Sequence, residues 1–132
     1  MPRSVLAFSI LAVGIYLFPI VALAEGKEMD MSEMKTYYLV LLMEGPKRNQ
    51  DSTEAAKIQQ AHLAHLGKMT EQGKLVMAGP LLDDVDLRGI CIYDVKSLEE
   101  AKALAEADPA VKAGRLKVQV HPWMTKKGSK LP

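Results

Sequence analysis

Hydrophobic positions along this chain follow two different periods, and the change of period marks the predicted elements. Four segments are rich in β-branched, aromatic and aliphatic residues or alternate between apolar and polar positions, and turns such as Gly45-Pro46 bound them. This pattern is typical of β-strands. The predicted strands are "TYYLVLLME" (36–44), "KLVMAGPLL" (74–82), "LRGICIYDV" (87–95) and "RLKVQVHPWM" (115–124).

Two other segments have the period of an amphipathic helix. The first begins at Asp51, which has Glu54 three residues on as in a capping box, and ends at Gly73. The second, "LEEAKALAEA", begins after Ser97 and ends before the Asp108-Pro109 step. One face of the first helix carries Ala55, Ile58, His62, Leu66 and Met69.

The order of these elements is strand, helix, strand, strand, helix, strand. It predicts an α+β fold of the ferredoxin-like, split-βαβ type, in which two helices cover one face of a four-stranded antiparallel sheet. The runs "YYLVLL" and "GICIY" are too apolar for the other face to lie in water. We therefore expect a homodimer that forms through this open sheet face.

The N-terminal residues have a different composition from the remaining chain. Arg3 precedes an apolar run, and Ala22-Leu23-Ala24 resembles a cleavage site, so residues 1–24 are predicted to be a signal peptide cleaved after Ala24. The alternative is an uncleaved anchor, because the run is long enough to span a bilayer. We expect export to the periplasm or beyond, a flexible mature N-terminus (25–35), one domain (36–124) and a basic C-terminal tail (125–132).

Charge and cysteine content narrow the class of protein. Without Arg3, the remaining basic residues equal the 16 acidic residues, so the mature chain has no basic excess for nucleic acid or for a stable membrane contact. The single cysteine, Cys91, cannot form an internal disulfide and is predicted to be a small buried hydrophobic residue.

His62 and His65 are three residues apart on the first helix, and His62 falls within the apolar face. Such a histidine is either a core-edge residue with ordinary hydrogen bonds or a group that does chemistry. Asp108 follows the second helix, where its charge opposes the helix dipole. It could cap a short turn that begins with Pro109, or it could orient an imidazole of the first helix as a general base requires.

Other chemistry is poorly supported by the sequence. Two histidines at this spacing supply only two metal ligands, and no spacing in the sequence adds His121 or Asp108 as a third. No phosphate-binding loop, dinucleotide-binding loop or serine-nucleophile motif is found, so neither a metal nor a cofactor is predicted. Gly79 and Pro80, together with Trp123 on the last strand, are the candidate substrate-binding residues.

The segments "AHLAHL", "GKLVMAGPL" and "SLEEAKALAEADPAV", followed by the last strand, resemble the YCII-related family of the dimeric α/β-barrel class, from about Tyr37 to Trp123. The resemblance implies that His62 and Asp108 form the family's active-site pair. Two positions depart from the family pattern. Ala110 stands where an aromatic residue is common, and Gln59 and Gln60 stand where a basic residue is common, which alters the pocket wall and its affinity for anions.

Two functions follow from these observations. The first is a cofactor-independent enzyme in which His62 and Asp108 move a proton on a small enolisable or cyclic substrate, in isomerase, lyase or dehalogenase chemistry; the resemblance implies chlorinated aromatic products as one substrate class. The second is a small-molecule-binding or accessory domain without catalysis, because the fold alone does not decide function.

Overall fold

A computed structural model describes residue 26 and residues 28–132. The predicted signal peptide lies outside these residues, and its cleavage and the export of the chain remain predictions. Within the part of the chain that is described, no helix has both the length and the apolar character needed to cross a membrane.

The four predicted strands form a single antiparallel sheet. They are β1 (Met34–Glu44), β2 (Leu75–Pro80), β3 (Leu87–Tyr93) and β4 (Leu116–Lys126). Their order across the sheet is β2-β3-β1-β4, with β1 in the centre between β3 and β4. The predicted ferredoxin-like α+β arrangement is therefore confirmed.

The helices begin and end where their capping residues predict. The side chain of Asp51 accepts a hydrogen bond from the Glu54 amide at the start of α1 (Ser52–Glu71), and Gly73 follows that helix with a positive φ of 69°. Ser97 caps α2 (Leu98–Glu106) in the same way. A short third helix, α3 (Pro109–Lys112), lies where the sequence predicted only a turn.

The hydrophobic core lies between one face of the sheet and the helices. Central side chains from β1 and β3, such as Val40, Cys91 and Tyr93, pack there against Met69 of α1 and Ala101 of α2. Because side chains alternate along a strand, residues of the opposite parity point to the other face. No described helix packs on that second face.

The sheet extends beyond the predicted domain limits at both ends. β1 begins at Met34 and pairs with Lys126 of β4, so Met34 and Lys35 belong to a strand and not to a flexible segment. Thr125 and Lys126 likewise continue β4 into the predicted basic tail. The long β1–β4 pairing fixes the strand ends that border the candidate site.

Candidate functional site

A cavity of about 430 Å³ opens between α1 and the end of the sheet where β1 stops and β4 begins. Its volume is sufficient for a small organic molecule. Residues of α1, β2 and β3 form most of the wall, and the loops after β1 and before β4 close one side. The polar side chains of the lining are Arg48, Gln59, His62, Arg88 and Arg115.

His62 forms part of the cavity wall. Its position on the apolar face of α1 turns it toward the core, and it is only 7% exposed. Its Nδ1 lies 2.5 Å from Oδ2 of Asp108, which is 46 residues further along the chain. A buried imidazole in this position requires a polar partner, and the carboxylate supplies it.

Asp108 satisfies two groups with its two oxygens. Oδ1 accepts a hydrogen bond of 2.9 Å from the Ala110 amide and so caps α3, which has Pro109 in its first turn. Oδ2 is bonded to His62. The helix cap and the bond to an imidazole of α1, the two contacts that the sequence left open for Asp108, are thus both present, one on each oxygen, and a role of the pair as a base stays a prediction.

These contacts determine which nitrogen of His62 carries the proton. A carboxylate that accepts a backbone N–H on one oxygen is suited to accept a second donor on the other, so we assign the proton of His62 to Nδ1. Nε2 then carries the lone pair. The arrangement can remove a proton from a bound molecule and stabilise the imidazolium that forms.

His65, one turn along α1, has a different environment. Its ring Nε2 lies 3.0 Å from the main-chain oxygen of Leu104, which joins α1 to α2, and the residue is absent from the cavity wall. This contact is a structural one. It also makes His65 a natural comparison for His62.

Cys91 lies in the cavity wall but is a poor nucleophile. Burial, followed by the negative charge of Asp108, raises the pKa of its thiol to about 12. Burial and the nearby Cys91 and Asp108 also raise the pKa of Tyr93 above its usual range. Both side chains therefore stay neutral at ordinary pH and serve as core residues, in agreement with the prediction for Cys91.

Three arginines in the wall were not identified from the sequence. Arg48 follows β1, Arg115 precedes β4, and Arg88 lies near the start of β3. These strand ends lie at the same end of the antiparallel sheet. Glu44 of β1 pairs with Leu116 of β4, and the Glu44 amide donates to the carbonyl oxygen of Asp86, just before β3. The predicted topology, if followed to the strand ends, could have brought these basic residues together.

Two of these arginines are held by a close contact between the loops that flank β1 and β4. The Gly45 amide donates to the Arg115 carbonyl oxygen (3.0 Å) and the Lys47 amide to that of Gly114 (2.9 Å). A Cβ atom on Gly45 would lie 2.2 Å from the Gly114 oxygen, so this approach requires glycine. Arg48 Nη1 also donates to the Arg115 oxygen, at 2.7 Å.

The predicted substrate-binding residues separate into two groups. Gly79 and Pro80 of β2 line the cavity. Trp123 does not, because it pairs with Tyr37 and has the parity of the open sheet face, and it is 39% exposed. His121 has the same parity, so it lies on the opposite side of the sheet from His62.

Two of the three residues that depart from the family pattern lie in the cavity wall. Ala110 and Gln59 both line the cavity, whereas Gln60 does not. The three arginines restore the basic character that the residues before His62 lack. Among the described residues, no group of three histidine, cysteine or acidic side chains is placed to hold a metal ion.

Comparison with known proteins identifies relatives over the same region. The YCII-related domain matches residues 36–124. The uncharacterised protein YjpA of Bacillus subtilis (strain 168) is 31% identical over 90 residues, which cover 68% of this chain and 96% of that protein.

A solved structure has the same fold. It is the 5-chloro-2-hydroxyhydroquinone dehydrochlorinase (TftG) of Burkholderia phenoliruptrix AC1100, in complex with 2,5-dihydroxybenzoquinone. It is 27% identical in sequence and superimposes with a TM-score of 0.50, covering 66% of this chain and 92% of that chain.

Proposed function

Because the chain belongs to the YCII-related family, we propose that it is an enzyme in which His62, oriented by Asp108, transfers a proton on a small organic substrate bound in the cavity. Proton transfer is within the chemistry of side chains alone, so the proposed reaction requires no cofactor. The reaction class is elimination or isomerisation at an enolisable carbon.

The observation that carries this proposal is the hydrogen bond between His62 Nδ1 and Asp108 Oδ2 at the wall of a cavity. A histidine with a purely structural role needs only a hydrogen-bond acceptor, as the contact of the partly buried His65 with a carbonyl oxygen illustrates. A carboxylate partner in addition fixes the tautomer and stabilises the positive charge that forms when Nε2 accepts a proton.

Removal of hydrogen chloride is one reaction that this pair could catalyse. In the keto tautomer of a chlorinated hydroxyhydroquinone, the carbon that carries chlorine is sp³ and lies next to the carbonyl group. His62 Nε2 would take the proton of the hydroxyl group para to that carbonyl, and the O–H electron pair would form a second C=O bond. The adjacent C=C pair would shift to the carbon that carries chlorine, and chloride would leave with the electrons of the broken C–Cl bond, which gives a hydroxybenzoquinone. The similarity to a dehydrochlorinase that binds a dihydroxybenzoquinone supports a ring substrate of this kind.

The experiment is turnover of 5-chloro-2-hydroxyhydroquinone by the mature chain, with chloride release as the readout, beside solvent-deuterium incorporation into unchlorinated enolisable ketones. The His62→Asn variant is expected to lose at least about 10²-fold in kcat. Asp108→Asn is expected to lose a similar factor with the fold intact, because asparagine also caps a helix well.

His65→Asn is the matched control, since it changes a histidine on the same helix that lies outside the cavity wall. It is expected to keep wild-type turnover and to lose about 1 kcal/mol of stability with the Leu104 contact. Long-range ¹H–¹⁵N spectra should show a proton on Nδ1 of His62 in the wild type. Turnover that survives in His62→Asn, or a protein that binds these molecules and never changes them, would reject the proposal in favour of a binding domain.

A further inference from the structure

The cavity wall is basic on the surfaces that a ligand would touch. Arg48, Arg88 and Arg115 line it together with His62, and no carboxylate is among the lining residues. Asp108 stands behind His62 and is 2% exposed. A low-dielectric cleft lined by charges of one sign concentrates ligands of the opposite sign.

The carboxylates near these arginines neutralise them only weakly. Glu44 lies 3.7 Å from Nε of Arg48, and Asp84 lies 3.7 Å from Nη1 of Arg88, both beyond hydrogen-bonding distance. The Asp84 side chain is fully exposed, so water screens its charge. Within residues 28–132, no carboxylate comes within ion-pair distance of Arg115.

Each guanidinium group is instead oriented by a neutral acceptor. Nη1 of Arg48 donates to the Arg115 carbonyl oxygen (2.7 Å), and Nη1 of Arg115 donates to Oε1 of Gln50 (3.0 Å). Nη1 of Arg88 donates to the Val85 carbonyl oxygen (3.1 Å). A guanidinium group has five N–H donors, so each arginine is fixed in place and retains donors for an anion.

The three positive charges form two separate groups. Arg48 and Arg115 are joined by a hydrogen bond on the β4 side of β1. Arg88 lies on the β3 side, at the bulge where Leu42 pairs with Gly89 and Met43 with Leu87. Arg88 is the residue that the bulge leaves without a strand partner, and it lines the cavity. The two groups therefore border the cavity from the two sides of β1.

We infer that the cavity selects small ring-shaped organic molecules with two anionic groups on opposite sides, one bound by Arg48 and Arg115 and the other by Arg88. The inference deepens the proposed function by naming the charge of its substrate, and it rests on that function only for the position of the reacting group beside His62. Binding itself needs no turnover.

The test compares two molecules of the same shape and different charge. Benzene-1,4-dicarboxylate has two anionic groups, and 4-carbamoylbenzoate replaces one of them with a neutral amide. Titration calorimetry on the mature chain is expected to show a Kd about tenfold or more lower for the dicarboxylate, with a steeper loss of affinity as salt is raised.

The Arg88→Met variant tests whether Arg88 binds the second anionic group of the ligand. It should bring the ratio of the two Kd values to about one and leave the Kd of 4-carbamoylbenzoate within about threefold of wild type. Arg115→Met should weaken both ligands by about tenfold. Lys102→Met removes an equal charge from an exposed position outside the cavity and should change neither Kd.

Equal affinity for the two molecules in the wild type would overturn the inference, as would an Arg88→Met variant that weakens both alike. Thermal unfolding of each variant verifies its fold, and Arg88→Gln replaces Arg88→Met if the latter does not fold. Turnover by the wild type and by His62→Asn separates the two proposals. Tight dicarboxylate binding by a wild type that turns over none of the tested substrates retains this inference and rejects the proposed function, whereas turnover that is lost in His62→Asn, without charge selectivity in the wild type, does the reverse.

Discussion

At the scale of single residues, the hydrogen bonds of Asp108 explain how a charged side chain is buried in an otherwise apolar region. It follows α2, where its charge opposes the dipole of that helix, but it also begins α3, where the dipole favours it. The capping bond to Ala110 and the bond to His62 use both oxygens, and no described buried polar side-chain atom lacks a partner. The function we propose for His62 thus depends on a residue that also begins a helix.

The buried thiol of Cys91 makes stability depend on alkaline pH. Its pKa in the folded protein is about 12, against an ordinary value of 9.0, so the unfolded chain releases this proton first as pH rises. The contribution of the protonated Cys91 thiol to the free energy of unfolding is complete below pH 9.0 and is lost as pH rises toward 12.

We therefore expect the free energy of unfolding of the wild type to fall more steeply with pH than that of Cys91→Ala above pH 9.0. The difference in slope should approach about 1.4 kcal/mol per pH unit between pH 9.0 and 12, as measured by urea unfolding in buffers that run from neutral pH into this range. Tyr93 is present in both proteins, so its own titration largely cancels in the comparison. Parallel slopes would show that the thiol ionises as easily in the folded state as in the unfolded one.

At the scale of elements, the contact between the loops after β1 and before β4 decides where two arginines lie. The approach of Gly45 to Gly114 leaves no space for a Cβ atom, and Gly114 itself has a positive φ of 73°. The two main-chain hydrogen bonds across this contact fix Arg115 and bring Arg48 next to it. The contact between these two loops therefore places two of the positive charges in the cavity wall.

Substitution of Gly45 by alanine should force this contact apart. We expect Gly45→Ala to lower the free energy of unfolding by about 1–3 kcal/mol, since the backbone must shift to relieve the clash. Gly67→Ala is the matched control, because Gly67 lies within α1 with open space around it and should gain about 0.5–1 kcal/mol. Chemical unfolding curves of both variants measure the effect, and a neutral Gly45→Ala would show that the loops separate at little cost.

At the scale of the whole molecule, β1 presents apolar side chains on the sheet face opposite the helices. Leu39, Leu41 and Met43 have the parity of this face, beside the polar Lys117 and Gln119 of β4. A face of this kind is uncommon on a monomer in water, which supports the predicted homodimer.

The Leu41→Lys variant tests the dimer directly. Light scattering after size-exclusion chromatography should give twice the chain mass for the mature wild type and one chain mass for Leu41→Lys, because a buried lysine at the interface has no partner. Leu82→Lys, at a position that is 96% exposed between β2 and β3, should remain dimeric. A monomeric wild type at micromolar concentration would exclude this interface.

The sequence by itself determined the elements and their order, because strands and helices are encoded in local patterns. Alternation in β4, the capping residues Asp51 and Ser97, and Gly73 after α1 each act over a few residues. The same local pattern placed His62 on the core side of α1. Strand parity could also have excluded Trp123 from the cavity, since it shares the parity of the polar residues Lys117 and Gln119.

Only the tertiary structure decided what lies around His62, because the contacts that form the site join residues far apart in the chain. The bond to Asp108 spans 46 residues, and the contact between Arg48 and Arg115 spans 67. Arg88 lies at a bulge between β3 and β1, and a bulge depends on how two strands pair, so neither strand carries a periodic signal for it. Local patterns specify elements, but the position of one element's side chains against another is set by packing and register.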